Sequence, residues 1–298
     1  MGPMQLGHGK EFALGETDVR RHFLALLPTA GVCHAAFRAA EMRHVEAGLL
    51  QSPCLDFGCG DGSLAAEWLA GCCDIGIDLN PRQLAQARKA YPLVLAADGV
   101  RLPLPDHSLG SVVSISVFEH LEHPAETLAE LHRVLRPGGV LVATITLSDL
   151  QQQLYWPRVI ARGGLPACGK AYVRRQNWLF GHRAMYDQAT WKGMLSGAGF
   201  QLTAARPIVA PGTVAQWDRR LPAAALGRLL RMACQFCRAA NGFPAIAQRG
   251  LLSEKKRAHP RLLRRLIRRP RNAWNRSRPA ILDDTQPGSV LYIVARKG

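Results

Sequence analysis

Directly after a short apolar run, the segment Asp56-Phe57-Gly58-Cys59-Gly60-Asp61-Gly62 places three glycines at alternate positions. Glycines so spaced let the backbone turn sharply and approach a ligand with no Cβ in the way. Asp56 sets a carboxylate beside them, which suits a cationic amino-acid ligand and would repel a pyrophosphate. Asp78, followed by Leu79, stands twenty residues beyond Gly58. At that spacing a carboxylate ending the next strand can accept both hydroxyls of a ribose, and it disfavours a 2′-phosphate. A dinucleotide loop would carry its third glycine at position 63, which is Ser63. These residues therefore suit a nucleoside ligand that carries positive charge and no phosphate.

The scaffold that holds them is legible from residue 52 onward. Short apolar runs alternate with helix-length amphipathic segments, the pattern of a parallel α/β sheet. Strands are expected at 53–57, 74–78, 93–96, 111–117, 140–145, 200–205 and 289–295, and helices at 63–69, 83–90, 125–135 and 188–197. Leu128, Leu131 and Leu135 fall on one face of the third helix, and Arg136-Pro137-Gly138-Gly139 is expected to end it. Residues 22–46 look helical and are expected to pack over the cleft. Residues 151–186 look irregular and aromatic. The 209–287 stretch is far longer than the two to five residues a hairpin needs, so it is an insertion between the last two strands. The expected division is a helical cap over 1–51, an α/β domain over 52–208 and 288–298, and the insertion.

The Asp56–Gly62 segment resembles motif I of the class I S-adenosylmethionine-dependent methyltransferases, specifically the type 11 family. The likeness continues in order over residues 52–146: Asp78; Ala97-Asp98-Gly99 with Leu102-Pro103; Val117-Phe118-Glu119-His120-Leu121; and Leu131 through Gly139. The resemblance implies a Rossmann-like class I methyltransferase fold, a mostly parallel seven-stranded sheet with an antiparallel last strand and helices on both faces. It implies S-adenosylmethionine as cofactor, held by Asp56, Gly58, Cys59, Gly60, Gly62, Asp78, Leu79, Asp98, Gly99 and Ser116, with Asp98 at the adenine. No metal is expected.

Methyl transfer from a sulfonium needs positioning and, for an oxygen acceptor, a base. His120 is the best base candidate, with His123 and His182 behind it; a surface or capping role competes for each. Glu119 stands where it could orient a cofactor or substrate group. Gly181-His182-Arg183-Ala184-Met185-Tyr186 resembles the substrate-side segment of type 11 enzymes that methylate lipids, quinones or natural products, making His182 and Tyr186 substrate candidates.

The net charge of +16 is uneven: residues 209–298 hold 19 Lys and Arg against 4 Asp and Glu, while 1–208 hold 19 against 18. Within the insertion, 221–243 and 261–269 carry leucine-rich stripes edged by arginines, with Trp274 after Pro270. Such segments fit helices lying in an anionic membrane surface. Packing on the catalytic body is the rival reading, and RNA phosphates are a lesser one because no RNA-binding module accompanies the arginines. The eight cysteines, Cys234 and Cys237 included, read as structural thiols. No secretory signal or membrane span is evident. The expectation is thus a cytoplasmic methyltransferase, peripheral on the inner membrane face, acting on a small-molecule or lipid-type acceptor. An RNA methyltransferase and a non-catalytic membrane-associated S-adenosylmethionine-binding protein are the alternatives.

Overall fold

The computed structural model describes residues 15–69, 71–220, 270–281 and 288–298. The arginine-edged stretches at 221–243 and 261–269, with Cys234 and Cys237, lie outside the described residues.

Seven strands form one sheet in the order β3-β2-β1-β4-β5-β7-β6. They are β1 (Cys54–Phe57), β2 (Ile75–Asp78), β3 (Leu93–Ala96), β4 (Leu109–Ile115), β5 (Leu135–Thr146), β6 (Phe200–Ile208) and β7 (Val290–Lys297). Only β7 runs antiparallel to its neighbours, pairing β5 on one side and β6 on the other. The chain builds outward from β1 to β3 and then returns to place β4 on the other side of β1. That reversal opens a crevice at the carboxyl ends of β1 and β4, where ligands of open α/β sheets sit.

Strand alternation sorts side chains into two cores. Val113, Ile115, Val140, Val142, Val290 and Tyr292 face one side, and Val112, Leu141, Ala143, Ile145, Leu291 and Ile293 the other. The first core packs beneath α1 (Glu16–Met42), α2 (Ser63–Trp68) and α3 (Pro81–Ala87). The second packs beneath α4 (Pro124–Val134) and a later helix over Gln188–Gly197. Local signals set several boundaries. Asn80 caps α3 by accepting from the Arg82 N–H, with Pro81 at the first turn. Asp187 caps the later helix through the Thr190 N–H.

Three expectations are corrected. Residues 151–186 are largely helical: α5 (Leu150–Gln153), α6 (Tyr155–Arg162) and α7 (Pro166–Phe180), followed by α8 (Gln188–Gly197). Pro166 at the first turn and Gly181 in the left-handed conformation just past the end delimit α7. Second, Arg136-Pro137-Gly138-Gly139 belongs to β5: Leu135 pairs with Leu109, the four residues bulge out, and pairing resumes at Val140–Ser111. Third, Trp274 lies on a helix that packs against α1 rather than at a membrane surface. A helix over 211–220 is α9, and Pro270–Ile281 is α10.

Trp274 on α10 is buried, its ring 5.6 Å from Phe23 of α1, so it is core rather than a membrane anchor. Arg278 pairs with Glu16 at 2.6 Å, and Arg43 donates to the Ile281 carbonyl at 3.0 Å. Both described ends of the insertion, through Trp217 and Trp274, therefore share the first core with α1 and the sheet.

Candidate active site

The loop after β1 is stitched to β2. Gly58 N–H and Cys59 N–H both donate to the Ile77 carbonyl, at 2.8 and 2.9 Å. Gly60 N–H donates to Asp78 Oδ2 at 3.0 Å, while Asp78 Oδ1 accepts from Asn80 N–H at 2.8 Å. Gly58 adopts φ +79°, and a Cβ there would lie 2.4 Å from Val117 Cγ2, so only glycine fits. Gly60, at φ +57°, leaves open space: a Cβ would meet nothing nearer than Gln83 Oε1 at 3.5 Å.

This loop forms one wall of a cleft of about 520 Å³. Gly58, Gly60, Asp78, Leu79, Gln83, Ala97, Asp98 and Gly99 line it from β1, β2 and β3. Arg38 of α1, Val117, His120, Leu121 and Phe180 line it from the opposite side. Leu79 is 67% exposed, an apolar face beside the carboxylates of Asp78 and Asp98. A second cavity, about 630 Å³, lies against α1, Glu67 and Trp68 and contains none of the motif residues, so the chemistry belongs to the first.

The donor set fits S-adenosylmethionine. Each Asp78 oxygen holds one backbone N–H and keeps acceptor capacity for a ribose hydroxyl. Exposed Asp98 can accept from a purine amine, with Leu79 against the ring. Arg38 is the cation on the cleft wall for a ligand carboxylate. The volume lies inside the ~300–1,000 Å³ of small-ligand sites.

Four of the cofactor candidates do not line the cleft. Asp56 faces the α3 side, on the same face of β1 as Cys54, because successive residues of a strand alternate. It is buried under the loop and accepts from the Tyr91 hydroxyl at 2.5 Å. Burial pushes its carboxyl up to about 6, against the opposing pull of the Tyr91 hydrogen bond. Cys59 turns a buried thiol inward, against Gly76. Ser116, at φ +52°, donates to Glu41 Oε1 at 2.5 Å. Gly62 stands as the cap just before α2, where a Cβ would press on Ala90.

On the acceptor side, Phe118–His120 forms a 3-10 turn after β4. Glu119 is buried, its Oε1 accepting from the Thr146 hydroxyl, and burial holds its carboxyl above the usual range. His120 is exposed at the cleft, with Nδ1 3.2 Å from the Gly181 carbonyl. His182 lies between His120 and Phe180, ring centroids 5.3 and 5.9 Å away, and burial lowers it to about 4. The backbone fixes this arrangement: Arg183 and Ala184 N–H groups both donate to the Glu119 carbonyl, at 2.8 and 3.0 Å. Tyr186 instead packs edge-on to Trp191, outside the cleft lining, and His123 pairs with exposed Glu126 at 3.5 Å. Arg38, Glu41, Tyr91 and Phe180 were not singled out from sequence, because each joins the site from an element distant in the chain.

Residues 55–143 match the methyltransferase domain family. The chain is 40% identical over 94 residues to a probable S-adenosylmethionine-dependent methyltransferase of Mycolicibacterium smegmatis, covering 30% of this chain and 36% of that protein. It is 34% identical over 108 residues to a demethylmenaquinone methyltransferase of Chlorobaculum parvum, covering 34% of this chain and 45% of that one. The chain thus spans less than half the length of these curated relatives. An S-adenosylmethionine-dependent methyltransferase structure from Thermotoga maritima superposes with a TM-score of 0.53 at 14% identity, covering 95% of this chain and 99% of that one, a likeness of fold.

Proposed function

We propose that this chain, which belongs to the class I S-adenosylmethionine-dependent methyltransferases through its domain at residues 55–143, methylates a small-molecule or lipid-type acceptor at a membrane face. One observation carries the transferase reading: a single cleft at the strand-order switch point is lined by Asp78 and Asp98 on one side and by His120 and Phe180 on the other. When bound, S-adenosylmethionine supplies a methyl group already activated on a sulfonium sulfur. The work of the chain is then chiefly to position. Asp78 holds the ribose, Asp98 the purine edge and Arg38 the carboxylate. Phe180 and Leu121 exclude water around the reacting end. There the acceptor atom would be held against the methyl group that the bound cofactor would supply. A hydroxyl acceptor loses its proton at the Glu119–His120–His182 cluster, where His120 is the exposed member.

The surface beside the cleft supports the lipid-type acceptor. Val159, Leu165, Trp178 and Leu179 stand exposed on and between α6 and α7, Trp178 by 80%. Arg158, Arg162, Lys170, Arg174 and Arg175 of the same helices are exposed too, and Phe180, next to Leu179, lines the cleft. Basic residues around an exposed tryptophan suit the boundary between head groups and acyl chains. The excess of 19 basic over 4 acidic residues after position 208 adds attraction to anionic lipid. Among the described residues no helix is long and apolar enough to cross a membrane.

The test is transfer of a labelled methyl group in the presence of membrane lipid extract, small-molecule extract or total RNA. Label in lipid or a small molecule supports the reading. Label in RNA alone overturns the acceptor class. Tight cofactor binding with no transfer to any extract overturns the enzyme reading in favour of a binding protein.

A further inference from the structure

Beside His120, at the acceptor end of the cleft, lie buried atoms with no hydrogen-bond partner among the described residues. Glu119 is 1% exposed; Thr146 occupies its Oε1, while its Oε2 has no hydrogen-bond partner among the described residues. His182 Nδ1 is likewise buried and unpartnered. Buried polar atoms left this way are costly and uncommon, and each asks for a reason. His120 adds a third available atom. With Nδ1–H donating to the Gly181 carbonyl at 3.2 Å, its Nε2 keeps a free lone pair. A ring nitrogen fixed on a backbone carbonyl is how metal-ligating histidines are usually oriented.

We propose that Glu119, His120 and His182 bind one first-row divalent cation, which holds the acceptor oxygen at the inner end of the cleft. With one carboxylate oxygen or ring nitrogen taken from each residue, the three ligand atoms lie within 4.8 Å of one another. Atoms at that spacing set a central ion within about 2.8 Å of each, against ~2.0–2.2 Å for a bound ion, so small side-chain rotations complete the site. One carboxylate and two imidazoles suit zinc, iron or manganese better than magnesium or calcium, and three protein ligands leave positions open for a substrate. The two hydrogen bonds from Arg183 and Ala184 to the Glu119 carbonyl hold the His182 segment against the Glu119–His120 turn, so the site is prearranged.

The role for the acceptor rests on the methyltransferase reading; the cation site does not. A hydroxyl on the cation becomes more acidic, gives its proton to solvent and attacks the methyl carbon as an oxyanion. The sulfur leaves with its electron pair. His120 then serves as a ligand, and the cation does the work of a base. The proposal departs from the sequence-based expectation of no metal.

The test uses the metal-free full chain without a histidine tag, titrated with Co²⁺, whose visible d–d absorption reports its ligands. One equivalent is expected to bind. His120→Ala and His182→Ala are each expected to weaken binding by more than the ~10–100-fold that loss of an outer-shell partner costs. Glu119→Gln keeps an oxygen for the Thr146 hydroxyl and removes the charge, and is expected to weaken Co²⁺ binding comparably. S-adenosylhomocysteine calorimetry on the same proteins is expected to give near-wild-type affinity, showing that they fold. Absence of Co²⁺ absorption in wild type that binds S-adenosylhomocysteine overturns the proposal. So does wild-type Co²⁺ uptake by Glu119→Gln or by the two histidine variants. Loss of S-adenosylhomocysteine binding by wild type, with or without Co²⁺, would instead overturn the methyltransferase reading.

Discussion

Gly58→Ala is expected to damage the cofactor cleft without removing any polar group from it. The residue sits at φ +79°, where a side chain costs ~1–2 kcal/mol. The added Cβ would lie 2.4 and 2.7 Å from the two methyl carbons of Val117, which itself lines the cleft. Overpacking of that kind costs ~1–3 kcal/mol. The two contributions sum to ~2–5 kcal/mol, divided between fold stability and cofactor affinity according to whether Val117 or the loop gives way. Val117→Ala in the same chain removes both methyls and leaves only the backbone cost. The double variant is therefore expected to recover ~1–3 kcal/mol of the loss. Urea denaturation reads the stability, and calorimetry with S-adenosylhomocysteine reads the affinity. A combined loss under ~0.5 kcal/mol in the single variant, the level of an ordinary surface substitution, would refute the geometry assigned to this loop. Failure of Val117→Ala to restore anything would refute it too.

Asp56→Asn is expected to stabilise the protein above pH 6. The folded carboxyl is pushed up to about 6 by burial, above its unfolded value of ~3.9, so the stability it contributes is full at low pH and lost as pH rises through 6. Asparagine still accepts from Tyr91, and the thermal midpoint of the variant relative to wild type should rise between pH 4 and 7, to a gain on the order of 1–3 kcal/mol; an unchanged difference across that range contradicts the placement of Asp56. His44 behaves oppositely. Burial, aided by the Arg43 charge, lowers it to about 3, so its contribution is full above ~6.5 and falls as pH drops toward 3. His44→Gln should flatten the acid limb of the stability profile, by on the order of 1–2 kcal/mol near pH 4. Reversing Arg174 and Arg175 to Glu should weaken co-sedimentation with anionic vesicles by at least ~30-fold, from ~1 kcal/mol per basic residue lost, and leave binding to neutral vesicles unchanged; equal sedimentation of both proteins would remove α7 from the membrane surface.

The parts of the fold visible in the sequence were those with a local cause. Gly58, Gly60 and Asp78 announced the crevice because a tight turn and a strand-end carboxylate leave their mark within a few residues. The near-continuous apolar runs of β4, β5 and β7 marked a sheet buried on both faces. Helices α6 and α7 were hidden by their aromatic content, though Pro166 and Gly181 bracketed α7 in plain view. Nothing local marks Trp274 as a core residue, and only its packing on Phe23 of α1 places it there. The bulge at Arg136–Gly139 follows from strand pairing with β4, which no local pattern encodes. In the site, strand alternation could have turned Asp56 away from the cleft. The meeting of Glu119, His120 and His182 could not have been foreseen, because it depends on backbone bonds between segments far apart in the chain.

The central claim is that the cleft beside Asp78 holds S-adenosylmethionine. Calorimetry of the wild-type chain with S-adenosylhomocysteine, beside Asp78→Ala, tests it most directly. Asp78 organises the loop through Gly60 N–H and Asn80 N–H and offers its remaining acceptor capacity to the ribose. Hydrogen bonds to a charged acceptor contribute ~1.5–3 kcal/mol each, so the variant should bind at least ~10-fold more weakly. One equivalent bound to wild type, with that loss in the variant and no binding of NAD to either, is the predicted result. A folded wild-type protein that takes up no S-adenosylhomocysteine, or a variant that binds it equally well, would contradict the account.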